Sequence, residues 1–446
     1  MRRPRISPIR LLGLAAAFLN PLVSPSQAQS RATASIADPA AFPLTPLSGK
    51  VEPAGPLSLA SAIDLALSAN PTLAAAAREL QAMEGTVIQA GVRPNPELAA
   101  QVEDTQKSAT RTTTLQINQT IELGGKRAAR IESAERGRDV AAADLDAQRL
   151  EIRSATVAAF FDVLVAQERI GLAEALLDLA QRATQAASRR VIAGKVSPIE
   201  ETKARVAEAS VRVELNQLQA ALAAARRRLA ATWGNPSPGF ERADGRTEIL
   251  PVVPTSEDIR RRLATAPVLT RARLEVDRRS ALAELERTRR ISNVTVSIGA
   301  QRVEELGRNQ AIVGLSVPLP LFDRNQGNLL EALRRTDKAR DELAATEIRL
   351  STELAQAHER LKALSLEVSS LQTEILPGAQ SAYEAASKGY ELGKFSFLEV
   401  LDAQRTFFQA RSQYLRALAD AHRAAAEIDR VLGAPSTTAL AGSKHP

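Results

Sequence analysis

The side chains best suited to chemistry lie late in the chain, between Tyr390 and Asp402. Glu399 and Asp402 are three residues apart, so on a helix they share one face and concentrate negative charge there. Near a helix N-terminus the same two acids can instead be plain solvent-exposed residues that the helix dipole favours. In the first half of the chain Glu200 corresponds to Glu399, and Lys203 stands where Asp402 would be.

Other reactive groups are scarce in this sequence. The chain contains no cysteine, and its three histidines, His358, His422 and His445, are scattered. No nucleophile lies beside a base, and a thiolate metal site, a disulfide and a lipid-carrying cysteine are all excluded. The formal net charge of +7 is spread along helices or gathered in the first ten residues, which argues against nucleic-acid binding. We therefore expect no enzyme, no cofactor and no metal site.

The acids follow a break in a long helical pattern. The break at Gly393-Lys394 has a counterpart 199 residues earlier, at Gly194-Lys195. Around both breaks, apolar residues recur at alternating steps of four and three, a heptad pattern typical of helices that coil around neighbours. Residues 126–190 contain no proline. This stretch predicts a helix about 97 Å long, at 1.5 Å per residue.

Four short stretches alternate between apolar and polar residues and are predicted to be strands, at about 97–104, 112–122, 293–303 and 311–318. One face is apolar and the other is polar but nearly uncharged, as in a membrane barrel with a watery interior. Four strands cannot enclose water, and open strand edges are not tolerated in lipid, so several chains must share one barrel. The alternative is a structural coiled-coil surface protein with a small sheet.

The order helix, strand, strand, long helix, turn, helix occurs twice, which indicates a tandem duplication. The predicted segments are a signal peptide at 1–28, an extended leader at 29–56, a first repeat at 57–234, a Pro-rich linker at 235–256, a second repeat at 257–433 and a tail at 434–446. The signal peptide is indicated by arginines, a short apolar run and the small-x-small triplet Ser26-Gln-Ala28. No later stretch is long and apolar enough for a transmembrane helix.

Two strand-to-helix joints carry a family resemblance. They read Ile-Glu-Leu-Gly-Gly-Lys-Arg at 121–127 and Val-Pro-Leu-Pro-Leu-Phe-Asp-Arg at 317–324. With the duplicated unit, they resemble the TolC-like outer membrane efflux proteins, and most closely their CzcC-type heavy-metal branch. The resemblance implies a mainly α fold with a small β part, in which three protomers form a periplasmic α-barrel tunnel topped by a transmembrane β-barrel.

The resemblance also implies a function and its partners. The chain would be the outer membrane channel of a tripartite system in a Gram-negative bacterium, and a passive exit duct for heavy-metal cations. It would work as a homotrimer in outer membrane lipid, with a periplasmic adaptor protein and an inner-membrane RND-type pump. Drug efflux and type I secretion are the alternative roles for such a channel.

Particular residues acquire roles from this resemblance. Glu399 and Asp402 match the acids that line the narrow periplasmic entrance, repeated by symmetry as a ring. Glu200 and Tyr390 match residues in the contacts that hold this entrance closed. Phe395 departs from the pattern, because some relatives place a basic residue there. The turns that would meet the adaptor carry Gly194, Lys195, Gly393 and Lys394.

Overall fold

The computed structural model describes residues 52–245, 250–392 and 394–433. The helices are α1 (Leu59–Ala69), α2 (Pro71–Gly91), α3 (Lys126–Ile192), α4 (Pro198–Ala231), α5 (Ser256–Leu263), α6 (Pro267–Thr288), α7 (Gln326–Ser370), α8 (Leu376–Glu391) and α9 (Phe397–Leu432). The strands are β1 (Pro56–Ser58), β2 (Glu97–Glu103), β3 (Thr112–Ile121), β4 (Arg242–Asp244), β5 (Val294–Val303) and β6 (Arg308–Ser316). The expected signal peptide, most of the leader and the tail lie outside the described residues.

The same series of elements occurs twice. The first repeat runs α1, α2, β2, β3, α3, α4, and the second runs α5, α6, β5, β6, α7, α8, α9. This order confirms the tandem unit predicted from the sequence. Helix α3 contains 67 residues. At 1.5 Å per residue it is about 100 Å long, so it leads from the sheet to a distant turn.

The long helix of the second repeat is interrupted, whereas the heptad pattern predicts a continuous one. Between α7 and α8, residues Leu371–Ile375 form a π turn. Pro377 lies in the first turn of α8 and lacks a backbone N–H, so it cannot donate to the carbonyl four residues earlier, on Thr373. The wider π turn accommodates this missing α-helical bond. The repeats therefore differ in the continuity of their longest helix.

The main sheet has the strand order β2-β3-β5-β6, and every neighbouring pair is antiparallel. Its register aligns side chains of one kind in rows across all four strands. One row on the exposed apolar face is Leu98, Ile117, Ile298 and Val313. A row on the other face is Gln101, Thr114, Gln301 and Gln310. The sheet thus has one apolar face and one polar face that is nearly uncharged, as the alternation predicts, and it ends at two open edges. The charged residues of the polar face, Glu97, Glu103 and Arg308, lie at strand ends.

The last strand differs from its expected range. It was expected at 311–318 after a polar loop, but β6 covers Arg308–Ser316. The turn before it is tight, because Gly307 adopts φ +60° and donates its N–H to the carbonyl of Glu304 over 3.1 Å. Pairing therefore begins at once, with Val303 opposite Arg308. It ends before Pro318, which has no N–H to donate to a ladder.

Each strand-to-helix joint turns through a left-handed residue. Gly125 caps α3 with φ 74°, and Asn325 caps α7 with φ 56°. Asparagine is among the few residues besides glycine that tolerate the left-handed backbone region. The two repeats therefore form the same turn with different residues. Gly124 is also left-handed, and a Cβ added to it would lie 2.8 Å from Cβ of Ile291. The close approach of Ile291, in the segment between α6 and β5, therefore demands glycine at this position.

A second, smaller sheet joins the start of the described chain to the Pro-rich linker. Strands β1 and β4 pair in parallel, an arrangement that the sequence analysis did not predict. The carboxylate of Glu52 holds the loop ahead of β4, accepting backbone N–H bonds from Gly239 (2.7 Å) and Phe240 (2.9 Å). It also accepts bonds from the side chains of Trp233 and Asn235. The end of the predicted leader and the linker are thus parts of the folded unit.

The buried residues form successive clusters along the helices. The cluster beside the small sheet contains the aromatic side chains of Phe160, Trp233 and Phe240. Between α3 and α9, the rings of Phe161 and His422 stack with centroids 3.5 Å apart. Alanines fill many of the other buried positions on both helices. Small side chains let the helices approach closely, which matches the low aromatic content of 3%.

Candidate functional site at the helical tip

The two turns that join the long helices are built alike. In the first, Gly194 is left-handed with φ 67°, and Lys195 donates its N–H to Arg190 O over 2.9 Å. In the second, Lys394 donates to Gly389 O over 2.8 Å. Both are six-to-one bonds that close the end of a helix, as in a Schellman motif. Gly393 lies outside the described residues.

Small side chains bring the two turns together. Ala187 on α3 and Ala204 on α4 are buried against Tyr390 on α8 and Leu401 on α9. The guanidinium of Arg190 lies 5.0 Å from the centre of the Tyr390 ring, a cation–π contact. Tyr390, singled out from the sequence, therefore lies where the two helical hairpins meet. We call this meeting place, defined by these five residues, the helical tip.

The acids predicted for the entrance lie beside the helical tip. Ser396 donates its backbone N–H to Oε2 of Glu399 over 2.6 Å, and its hydroxyl oxygen faces the Glu399 N–H at 3.4 Å. This is a capping box, so Glu399 satisfies an otherwise unpaired donor of α9. Asp402 is exposed one turn later, and Glu200 is half-buried in the first turn of α4. The capping role is observed for Glu399, while the entrance role of the acids stays a prediction.

The side chains of both turn lysines are exposed, as a docking surface requires. Lys195 and Lys394 are open to solvent, and so is Gly194. Phe395 has a clear structural partner, because a Cβ added to Gly389 would lie 2.1 Å from Cδ2 of its ring. The Phe395 ring thus packs directly onto the backbone of Gly389, where any other residue would place a Cβ. The sequence analysis missed this pair, although a glycine in an alanine-rich helix is a usable signal.

A groove of about 930 Å³ runs along α3 between α4 and α9, above the helical tip. Arg169 and Arg416 both line it, with Glu214 and Phe408 nearby. Burial, and then the neighbouring charge of Arg416, lower the pKa of Arg169 below its ordinary value, while Glu214 opposes this. Two close guanidinium groups favour an acidic partner. No local sequence pattern marks this groove, because its walls come from three separate helices.

The described part of the chain offers no alternative site for chemistry. Within it, no three histidines or acids lie close enough together to hold a metal ion. A search of the same residues finds no helix with an apolar stretch long enough to cross a membrane. The helical tip itself contains no nucleophile paired with a base.

The sequence matches a known family over both repeats. The profile of the family described as "Outer membrane efflux protein" matches residues 62–235 and 259–434. The chain is 48% identical to the cobalt-zinc-cadmium resistance protein CzcC of Cupriavidus metallidurans, over 95% of this chain and 98% of that protein. It is 27% identical to the nickel-cobalt-cadmium resistance protein NccC of Alcaligenes xylosoxydans xylosoxydans, over 66% of each chain.

Solved structures show the same fold. The outer membrane protein VceC of Vibrio cholerae superposes with a TM-score of 0.70 at 21% identity, over 84% of this chain and 96% of its own. CusC, whose structures concern folding and transmembrane channel formation, gives a TM-score of 0.72 at 20% identity, over 84% of this chain and 92% of its own. At such identities the likeness concerns the fold alone.

Proposed function

The chain belongs to the outer membrane efflux protein family, and from that premise we propose that it exports divalent heavy-metal cations. It is an outer membrane efflux channel with its helical part in the periplasm. Membership of this family sets aside the structural coiled-coil alternative. The observation that carries the cargo proposal is the 48% identity to CzcC, a cobalt-zinc-cadmium resistance protein, over 95% of this chain.

The channel acts as a passive duct in this proposal and catalyses nothing. The described residues hold no cluster of metal ligands that could select a cation. Selection then falls to the inner-membrane pump, and the channel supplies a water-filled path. The polar face of the sheet fits that role, because its charged residues, Glu97, Glu103 and Arg308, lie at strand ends. The residues between them carry no charge that would hold or repel a divalent cation.

We infer that the working assembly is a homotrimer. Each chain contributes four strands with open edges at β2 and β6. Open edges are costly in lipid, so the edges must pair with those of other copies. Family members form trimeric channels, and three copies of this sheet give a barrel of twelve strands. Such a barrel is wide enough for a watery interior, which four strands are not.

Members of the family work with an adaptor and an inner-membrane pump in tripartite systems. For this chain we infer that the adaptor meets the turns carrying Lys195 and Lys394, and that the pump is of the RND type. The exposed lysines and the three arginines that line the groove, Arg169, Arg405 and Arg416, support a partner with acidic side chains.

The acids near the helical tip give the entrance its charge in this proposal. Three-fold symmetry turns Glu399 and Asp402 into two rings of three carboxylates each. Rings of acids attract cations and repel anions in channels. Glu200 and Tyr390 belong to the contacts that hold the resting entrance closed, and the cation–π contact of Tyr390 with Arg190 supports this assignment.

Deletion of the gene and complementation with the full-length chain test the cargo. The deletion is expected to reduce tolerance to cobalt, zinc and cadmium, and the intact chain to restore it, while tolerance to a drug panel is unchanged. Loss of drug tolerance with unchanged metal tolerance would contradict the proposal and favour the drug-efflux alternative. Loss of a secreted protein, with metal tolerance intact, would instead favour type I secretion.

A further inference from the structure

The segment that follows β6 exposes an unusual amount of apolar surface. The exposed fractions are 45% for Val317, 75% for Leu319, 65% for Leu321 and 91% for Phe322. The segment is nevertheless ordered. Leu321 donates its N–H to Leu319 O over 2.9 Å, and the side-chain amide of Gln326 donates to Phe322 O over 3.4 Å. An ordered apolar surface of this kind usually has a partner.

The 317–322 segment continues the apolar face of the main sheet. Val313 and Leu315 are exposed on that face, and the same alternation extends to Val317, Leu319 and Leu321. Pro318 and Pro320 fall between them and have no N–H, so the segment cannot extend the ladder. It therefore extends the exposed apolar surface past the last strand pair toward α7. With the sheet in the outer membrane, this surface would reach the level where lipid headgroups begin.

A cationic cleft lies beside this segment. It has a volume of about 480 Å³ and is lined by Arg287, Arg290, Ile291, Pro320 and Arg324. Arg287 pairs with Glu284, and Nε of Arg324 donates to Pro320 O over 3.3 Å. No acidic residue is among those that line the cleft. Three guanidinium groups around one opening fit a phosphate, which they bind through charge-assisted bonds.

The corresponding joint of the first repeat has its cations engaged within the protein. Arg130 binds the carboxylate of Glu122 at 2.6 and 3.1 Å, and it also donates to two carbonyls at the end of α2. Arg127 donates to Gly91 O over 2.7 Å, and Lys126 donates to the side chain of Asn293. The first joint thus places an acid, Glu122, against its cations, whereas no acid lines the cleft at the second joint.

We propose that the arginine cleft and the 317–322 segment together bind an anionic phospholipid of the periplasmic leaflet. The phosphate lies among Arg287, Arg290 and Arg324, and an acyl chain lies along Leu319 and Phe322. The apolar segment selects a lipid over free phosphate, and the arginines select an anionic headgroup over a zwitterionic one. This inference rests on the outer membrane location of the sheet and is independent of the cargo.

Native mass spectrometry of the full-length, detergent-solubilised assembly tests this. Phosphatidylglycerol is expected to give bound-lipid peaks at a lower concentration than phosphatidylcholine. The double variant Arg290→Gln/Arg324→Gln should lower phosphatidylglycerol binding about tenfold, as expected for losing charge-assisted bonds. The matched control Arg334→Gln/Arg349→Gln removes two exposed arginines of α7 and should leave binding unchanged. Leu319→Ser/Phe322→Ser should weaken the binding of both lipids.

The other outcomes decide against the proposal. Equal binding of the two lipids would show that the arginines do not distinguish an anionic headgroup from a zwitterionic one. Displacement of the lipid by an equal concentration of inorganic phosphate would identify a plain phosphate site. If the variants break the assembly into single chains without changing lipid binding per chain, the segment is a contact with a second copy. Metal tolerance is measured separately, so failure here leaves the proposed cargo untouched.

Discussion

At the scale of single residues, Glu399 combines two tasks that can be separated. Its carboxylate closes the capping box with Ser396, and the proposed entrance needs only its charge. Glutamine preserves the capping interaction and removes the charge, because a capping box accepts Glu or Gln at this position. The variant Glu399→Gln/Asp402→Asn therefore separates electrostatics from helix stability.

We expect this variant to lose cation selectivity and block by a trivalent cation in single-channel recordings. Its thermal stability should change by less than about 0.5 kcal/mol, because both residues are exposed and the cap remains. The control Asp341→Asn/Glu347→Gln removes the same charge from an exposed part of α7 and should conduct normally. Unchanged selectivity and block in the first variant would remove these two acids from the entrance.

Glu52 gives a second residue-scale prediction. Burial alone raises its pKa, but hydrogen bonds from Asn235, Gly239, Phe240 and Trp233 outweigh burial and hold the pKa below 4.5. A lowered carboxyl pKa stabilises the fold above the unfolded pKa, and this contribution is lost as pH falls through the folded value. Glu52→Gln should therefore destabilise the protein by about 1 kcal/mol at pH 7, after solvent screening.

The measurement is thermal unfolding followed by circular dichroism between pH 3 and pH 7. The difference in unfolding temperature between the original protein and Glu52→Gln should shrink as the pH falls below 4.5, the ordinary carboxyl pKa. Glu79→Gln changes an exposed acid on α2 and serves as the control. A gap that stays constant with pH would mean that the amide, not the charge, accounts for the difference.

At the scale of elements, the joint between β3 and α3 sets a strict steric limit. Gly124 and Gly125 are both left-handed, but only Gly124 faces Ile291 at close range. Gly125→Ala should cost about 1 kcal/mol for the backbone conformation alone. Gly124→Ala should cost more, because its Cβ also collides with Ile291. Gly125→Asn should be nearly neutral, because Asn325 holds the same conformation at the second joint.

Unfolding temperatures of the assembled protein check this order. The double variant Gly124→Ala/Ile291→Ala should recover part of the loss relative to Gly124→Ala, because it removes the colliding side chain. Equal losses for Gly124→Ala and Gly125→Ala would show that Ile291 yields without cost, and that the backbone conformation alone requires glycine here.

The sequence predicts an element well when the residues that specify it are neighbours in the chain. The stretch 126–190 has no proline and carries a heptad pattern over its second half, and α3 follows the predicted range closely. The parallel pair β1–β4 could not be predicted, because its three-residue strands pair residues 186 positions apart, such as Pro56 with Arg242. The π turn follows from Pro377, which was overlooked within a strong apolar pattern. The two turns near the helical tip could be predicted from the sequence. The contact of Gly389 with Phe395 is visible only in the folded structure.

At the scale of the whole molecule, the two faces of the sheet should differ in whether they tolerate a charged side chain. Val313→Arg puts a charge on the exposed apolar face and should cost about 2–4 kcal/mol in lipid. Gln310→Arg puts the same charge on the polar face of the same strand, where water is available. The first variant should yield far less outer membrane protein than the second. Equal yields would show that the apolar face does not meet lipid.

Mass measurement of the same preparations checks the proposed trimer. The original protein and Gln310→Arg should both give three chains per particle in detergent. The small amount of Val313→Arg that is made should remain mostly as single chains, because a sheet that does not enter lipid gains little from closing its edges. A stable single chain for the original protein would contradict the shared barrel.

The central ladder of the sheet also dictates an order of assembly. Within each repeat a hairpin closes over a few residues, since Glu103 pairs with Thr112 and Val303 pairs with Arg308. The β3–β5 ladder instead joins Ile121 to Val294, 173 residues later along the chain. Contacts so distant form late, because a long loop must close first. We therefore expect the first hairpin to stay in the periplasm with its apolar face exposed until the second repeat has been exported. A chain truncated after one repeat would keep this face exposed, so it would aggregate or bind a chaperone.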